Sequence, residues 1–343
     1  MTRQTPTVLV VVLNYRTPEL ALKSAGCAVT AMQGIAGSIT IVDNASGDGS
    51  DKIIAKGIAD AGWDRVTFLQ SPHNGGFGAG NNLAMRAGLP DGTAPDFVYL
   101  LNSDAWPRPD AIRVLLDTLA AHPEAGMAGS RIVGDDGVLH HTCFRFPSIL
   151  GEFEGAVRTG IFTRLLRNWV VPFPVPEATA PVDWVAGASI MMRQPMLDAV
   201  GLFDESFFLY FEETDLCLRA ARAKWTCLYV PASEAEHLGS VSTGMKEWAR
   251  TPGYWFDSRM HYFVQNHGRA YALAATVSRA LGEGLWRLRC LLTGRARDTA
   301  PYFLRDLIAH GLRRGQAGRS NRAIPFNNAA LLRNHDVPTG GNL

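Results

Sequence analysis

An α/β fold is predicted for this chain, with a mostly parallel central sheet flanked by helices and a helical C-terminal extension. Three observations predict it. Val8-Leu9-Val10-Val11-Val12-Leu13 is an unbroken, branched apolar run, the pattern of a strand covered on both faces. Further strand-like runs then alternate with segments of helical length, the order of successive βαβ crossovers. From about Met245 onward the alternation gives way to long helical patterns rich in Trp, Tyr and Arg.

In chain order, the first strand ends at Asn14, and Glu19 to Ala31 follows as a helix. Ser38 to Asp43 is the second strand, Ser50 to Ala61 a helix, Arg65 to Gln70 the third strand, Asn81 to Gly88 a helix, and Phe97 to Leu101 the fourth strand. Pro109 to Ala121 places Ile112, Leu115, Leu116 and Leu119 on one helical face, with Pro109 near its start and Pro123 past its end. Residues 140 to 181 carry many aromatics and prolines, including Pro172-Phe173-Pro174-Val175-Pro176, and read as an irregular insertion or a loop over a site. Trp184 to Met192 and Trp225 to Val230 are two more strands. The division expected is a catalytic domain over residues 1–250 and a helical, Arg-rich extension over 251–343.

With 343 residues and 47% apolar content the chain can bury a large core. Its formal charge of +1 hides an asymmetry, because Arg269 to Arg322 holds eleven Arg and three acids. The five cysteines are odd in number and scattered without a C-x-x-C pair, which argues against a disulfide framework or a zinc knuckle and for a reducing, cytoplasmic setting. The polar start has no signal-peptide pattern, and no stretch of about eighteen apolar, uncharged residues predicts a spanning helix. Nothing resembles a base-reading module, so nucleic acid is not an expected partner.

Ligands of open α/β sheets sit beyond the carboxyl ends of the strands. Asn14, Asp43, the Asn74 to Asn82 loop and Asp104 each follow a strand at that end, so they are expected to converge. Asp43 also reads as a turn former in Asp43-Asn44-Ala45-Ser46-Gly47-Asp48-Gly49. Gly76-Phe77-Gly78-Ala79-Gly80-Asn81 misses the dinucleotide fingerprint, since Asn81 stands where its last glycine belongs, and no glycine follows the first strand. A Rossmann dehydrogenase is therefore disfavoured. The segment Leu209 to Arg219 packs Glu212, Glu213 and Asp215 beside Phe207, Phe208, Tyr210 and Phe211. Such acids can decorate the first turn of a helix, with Asp215 fixing Arg219 at i+4. A carboxylate buried there would also have the raised pKa that suits a general base.

Read together, Val42-Asp43-Asn44-Ala45-Ser46, Leu101-Asn102-Ser103-Asp104 and Leu209 to Arg219 resemble the inverting family 2 glycosyltransferases of GT-A type, over roughly Thr7 to Gly244. Asn102-Ser103-Asp104, Asp183-Trp184 and Phe203-Asp204-Glu205 are most similar to the rhamnosyltransferase-like branch. The resemblance implies the nucleotide-diphospho-sugar transferase fold and a hexosyl transfer of the kind used in polysaccharide biosynthesis. It implies a donor, dTDP-L-rhamnose or alternatively a UDP-hexose, and a glycan or polyprenyl-linked saccharide acceptor. On the same ground Asp43 would meet the base, while Asn14, Asn74, Gly76, Asn82 and Asn102 would border the donor nucleotide. Asp104, the last position of an Asp-x-Asp motif whose first aspartate is here Asn102, would hold Mg²⁺ or Mn²⁺ with His237. Glu213 would deprotonate the acceptor, with Glu212 the alternative since relatives carry Asp at the Glu213 position. Asp183 and Trp184 would lie on the acceptor side. A nucleotide-sugar-binding protein without transfer activity is the competing class, and it would have no use for Glu213.

The basic segment from Phe256 to Arg322 is expected to place the chain peripherally on the inner face of the cell membrane. Tyr262, Trp286, Leu288, Leu291, Tyr302, Phe303 and Leu307 would be its apolar face. The alternative is that these side chains pack the helices onto the catalytic domain or onto a second copy in a homodimer.

Overall fold

The computed structural model describes residues 5–239, 249–296 and 300–316. Its first half is β1 (Thr7–Asn14), α1 (Pro18–Ala31), β2 (Ala36–Asp43), α2 (Ser50–Ala61), β3 (Val66–Gln70), α3 (Gly76–Ala87), β4 (Phe97–Asn102), β5 (Ala105–Pro107), α4 (Ala111–Ala121) and β6 (Ala125–Val133). Then come β7 (Cys143–Phe144), α5 (Ile149–Val157), α6 (Gly160–Leu165), β8 (Ala180–Val182), β9 (Trp184–Val185), β10 (Ser189–Arg193), α7 (Gln194–Val200), α8 (Glu212–Arg222) and β11 (Thr226–His237). The C-terminal helices are α9 (Gly253–His267), α10 (Arg269–Thr293) and α11 (Phe303–Gln316).

The main sheet runs β3-β2-β1-β4-β10-β6-β11-β5, with β8 also paired to β11. β1 is parallel to β2 and β4, and β10 is antiparallel to both of its neighbours. Strand order reverses at β1, so the crevice at its carboxyl end is where a ligand has room. The unbroken apolar run of β1 serves both faces. Val8, Val10 and Val12 pack with Ala21, Ala25, Ala28, Ile112 and Leu115, while Leu9 and Val11 pack with Ala84, Leu197 and Leu216.

Several elements depart from the sequence expectation for identifiable reasons. α3 begins at Gly76 rather than Asn81, because its glycines permit contacts that side chains would forbid. A Cβ at Gly80 would stand 2.5 Å from Leu13 Cδ1, and one at Gly76, where φ is +88°, would stand 1.9 Å from the Phe208 carbonyl oxygen. β6 is hidden by its composition, since Ala125, Gly126, Ala128 and Gly129 lack strand-like side chains. Its glycines leave space for Met196 and Val185. The stretch expected to be irregular contains α5, capped by Ser148 Oγ accepting the Gly151 N–H at 3.1 Å. β11 continues through Pro231 by an irregularity between Val230 and Glu234, and so delivers His237 beside β5.

α9 and α10 pack against the α/β body. Phe207 and Leu218 share a buried cluster with Met260, Tyr262, Phe263, Ala272 and Ala275. Arg259 is fully buried and donates to Glu152 at 2.8 and 3.1 Å, and Arg279 donates to the same carboxylate at 3.2 Å. Burial alone would raise the Glu152 carboxyl, but the two guanidiniums outweigh it and hold it below its ordinary value. The membrane face expected from the sequence needs correcting here. Tyr262, Trp286, Phe303 and Leu307 are buried among the helices, whereas Leu288, Leu291 and Tyr302 are exposed. Met245 and the segment from 317 to Arg322 lie outside the described residues. No helix among the described residues is long and apolar enough to cross a membrane.

Candidate active site

A cavity of about 910 Å³ opens at the carboxyl ends of β1 and β4 and runs beneath α5, α9 and α10. Its first end is lined by Tyr15, Asn44, Asn74, Gly76, Asn102, Ser103 and Asp104. Asn14 and Asp43 stand just behind this wall. The Asp43 carboxylate accepts from Asn14 Nδ2 at 2.7 Å, the Ser46 N–H at 3.1 Å and Gln70 Nε2 at 2.9 Å, and Asn14 Oδ1 accepts from the Thr17 N–H at 3.1 Å. These bonds fix the turns after β1 and β2. The neighbouring Asn44, which sequence reasoning passes over, reaches the cavity instead. Its Nδ2 donates to Asn74 Oδ1 and to the Gly76 carbonyl, both at 3.0 Å, and its buried Oδ1 has no partner among the described residues. Asn82 lies off the cavity, bridging α3 to the Phe203 backbone and Glu205.

Asp104 and His237 meet at the floor, with His237 Nε2 3.1 Å from Asp104 Oδ1 and 3.4 Å from Asn102 Nδ2. No third acidic, histidine or cysteine side chain completes a metal-binding group among the described residues. One carboxylate and one imidazole converging on a point suit a divalent ion that takes its remaining ligands from phosphate oxygens and water. Asn102 occupies the place where a second charge would have stood.

Glu212 and Glu213 open α8 after a strained turn, since Tyr210 and Phe211 both adopt positive φ, +69° and +72°. The turn is held by neighbours. The Phe208 carbonyl accepts the Phe77 N–H at 3.0 Å, the Leu209 carbonyl accepts Ser258 Oγ at 2.9 Å, and Phe211 packs on Trp255 and Tyr262. Strain retained beside an ionisable pair is the pattern of a functional turn. The two carboxyls differ. Glu212 is fully buried, its Oε2 has no partner among the described residues, and desolvation followed by the Glu213 charge pushes it well above its ordinary value. Glu213 is half-buried on the cavity wall and accepts the Gly187 N–H at 3.2 Å; burial raises its pKa too. Glu212 therefore keeps its proton first, which leaves Glu213 to ionise. As expected from the sequence, Asp215 pairs with Arg219 at 2.8 Å and belongs to the scaffold.

Gly187 allows this placement, since a Cβ there would lie 2.7 Å from Glu213 Oε1 and 3.1 Å from Phe77 Cζ. Gly187→Ala is expected to keep the fold and lower turnover about ten-fold by displacing the carboxylate, checked by steady-state rates beside a thermal melt. Glu212 carries a pH prediction. Its folded value exceeds its unfolded one of about 4.3, so the stability linked to it is complete below that pH and is lost as pH rises through the folded value. The wild-type melting temperature should fall as pH rises above the ordinary carboxylate range, and that of Glu212→Gln should fall less. Equal slopes would remove Glu212 as the source.

Beyond Glu213 the cavity becomes aromatic, lined by Phe144, Trp184, Tyr254, Trp255 and Arg279. Trp184 stacks on Phe144 at 4.2 Å and donates Nε1–H to the Arg145 carbonyl at 2.9 Å. Asp183 turns away from this cavity and accepts the Phe146 N–H at 2.8 Å.

Comparison with known proteins bears on the family and the fold. An N-acetylglucosaminyl-diphospho-decaprenol L-rhamnosyltransferase of Mycobacterium tuberculosis is 30% identical over 218 residues, 60% of this chain and 68% of that protein. Rhamnosyltransferase WbbL of Escherichia coli is 28% identical over 165 residues, 47% of this chain and 60% of the relative. Among solved structures, a mannosyltransferase of Pyrobaculum calidifontis in complex with GDP-Man and Mn²⁺ superposes with a TM-score of 0.54 at 15% identity, covering 92% of this chain and 88% of its own. That likeness concerns the fold, which is GT-A. The family described as glycosyltransferase like family 2 matches residues 6–252. With every strand of the sheet, the strained acidic turn and most of the cavity lining inside that span, the chain belongs to the family 2 glycosyltransferases.

Proposed function

We propose that the protein transfers L-rhamnose from dTDP-L-rhamnose, with inversion, to a hydroxyl of a glycan or polyprenyl-linked saccharide. One observation carries this reading: a single cavity is lined by the Asp104–His237 pair at one end and by the raised-pKa carboxylate Glu213 farther along. Asn44, Asn74, Gly76 and Asn102 border the nucleotide, on turns that Asn14, Asp43 and Asn82 hold in place. Asp104 and His237 hold Mg²⁺ or Mn²⁺, which when bound offsets the charge developing on the departing diphosphate. Trp184 offers an apolar face to the acceptor sugar, and Asp183 braces the strand that carries it. Glu213 takes the acceptor proton as the hydroxyl oxygen bonds to the anomeric carbon, whose bond to the diphosphate oxygen breaks on the opposite face. The sugar in the names of the two relatives favours rhamnose, and the carrier lipid in the first favours a lipid-linked acceptor reached from the cytoplasmic side.

The test is a panel of nucleotide sugars incubated with purified protein and Mg²⁺ or Mn²⁺, with release of nucleoside diphosphate as the readout. Release from dTDP-L-rhamnose alone is the expected result. Release from a UDP-hexose instead would replace the donor, and binding without release from any donor would leave a nucleotide-sugar-binding protein.

A further inference from the structure

α10 has two faces of opposite kind. Inward, Ala272, Ala275, Gly282, Trp286 and Cys290 are buried, and Gly282 lies so close to α5 that a Cβ would stand 2.7 Å from the Phe153 carbonyl oxygen. Outward, Leu273, Val277, Leu281, Leu285, Leu288 and Leu292 recur at helical spacing and are between 45% and 79% exposed. At 3.6 residues per turn these six occupy roughly one third of the circumference and form a stripe roughly 30 Å long. Within that arc the helix adds only apolar residues such as Ala274 and Leu291. An apolar stripe normally marks the face a helix turns to its core. Here it is the face turned away.

The surroundings extend the patch and give it a sign. Ser278 donates to the Ile149 carbonyl and Arg289 to Thr159 Oγ1, so the start of α5 and the start of α6 adjoin the stripe. There Leu150, Ile161, Leu165 and Trp169 are exposed, with the exposed Arg164 and Arg167 among them. Arg287 and Arg289 border opposite edges of the stripe, and Arg295 is exposed just past the end of α10. The one acid of the helix, Glu283, is buried and paired with Arg287.

This excess of arginine selects the occupant. Two copies of the chain meeting on the stripe would bring like charges together, whereas an anionic lipid surface would meet both the leucines and the arginines. We infer that α10 lies in the interface of an anionic bilayer, its leucine stripe at the acyl boundary and the exposed Arg164, Arg167 and Arg295 around the stripe among the headgroup phosphates. Arg279, on the inner side of the same helix, lines the cavity with Gly151 and Glu152 of α5, so docking would leave the aromatic end of the cavity about one helix diameter from the lipid surface. Docking of this kind needs neither the donor nor the metal of the transfer reaction.

Flotation of the full chain with vesicles tests it, comparing phosphatidylcholine alone with phosphatidylcholine plus phosphatidylglycerol. The wild type is expected to float with the anionic vesicles, and Leu281→Asp/Leu288→Asp to lose about ten-fold or more of that recovery. Both positions are exposed, and an unchanged thermal melt shows that the variant folds. Should it unfold, Leu292→Asp, at a site 79% exposed, carries the same comparison. Wild type remaining in the lipid-free fraction at low salt overturns the proposal, as does a folded variant that floats equally well. A wild-type dimer in size-exclusion chromatography that the variant dissociates, without vesicle binding, assigns the stripe to a second copy instead.

Discussion

Glu213→Gln is expected to lower turnover by about 10²- to 10⁴-fold while leaving donor affinity unchanged, the loss typical of a positioned general base. The amide keeps the size of the side chain but cannot take a proton. Glu213 is favoured over Glu212 because the two carboxyls compete for one charge, and the fully buried Glu212 is the costlier place to put it. The pH profile gives an independent check. With its pKa raised, Glu213 is protonated and idle at low pH, so the rate should climb with pH along a limb lying above the ordinary carboxylate range. That limb should vanish in Glu213→Gln. A dead Glu212→Gln beside an active Glu213→Gln would move the base by one residue.

Asp104→Ala is expected to lower turnover by about 10²- to 10³-fold and to weaken the dependence on Mn²⁺, measured by titrating the metal at saturating donor. With Asn102 in place of an acid, Asp104 is the carboxylate nearest His237 at the cavity floor, so its loss leaves an imidazole and an amide there. Two neutral groups hold a hard dication poorly. Undiminished activity with Mn²⁺ supplied would take Asp104 out of the mechanism.

Much of this arrangement is legible in the sequence because the signals are local. The run from Val8 to Leu13 marks β1, and Asn14, Asn102 and Asp104 mark the carboxyl ends of strands. The acid-aromatic cluster marks the start of α8. What escapes depends on contacts between distant segments. β6 is a strand because small residues fit under Met196 and Val185, which composition alone disguises. Asn44 rather than Asp43 faces the cavity because the parallel register of β1 and β2 turns Asp43 toward Asn14 and Gln70. The C-terminal aromatics mislead for a related reason. Trp286 and Phe303 fit an amphipathic pattern, but only the packing of α9, α10 and α11 shows that they point inward and that the leucines of α10 point out.

The most direct test of the central claim, a single displacement driven by Glu213 in one cavity, is the anomeric configuration of the product. The anomeric configuration of the glycoside formed from the donor that turns over can be read by NMR from its one-bond C1–H1 coupling constant. The predicted result is a product anomer opposite to that of the donor. A product that retains the donor configuration would contradict the account, because retention requires a second displacement or a different attacking face.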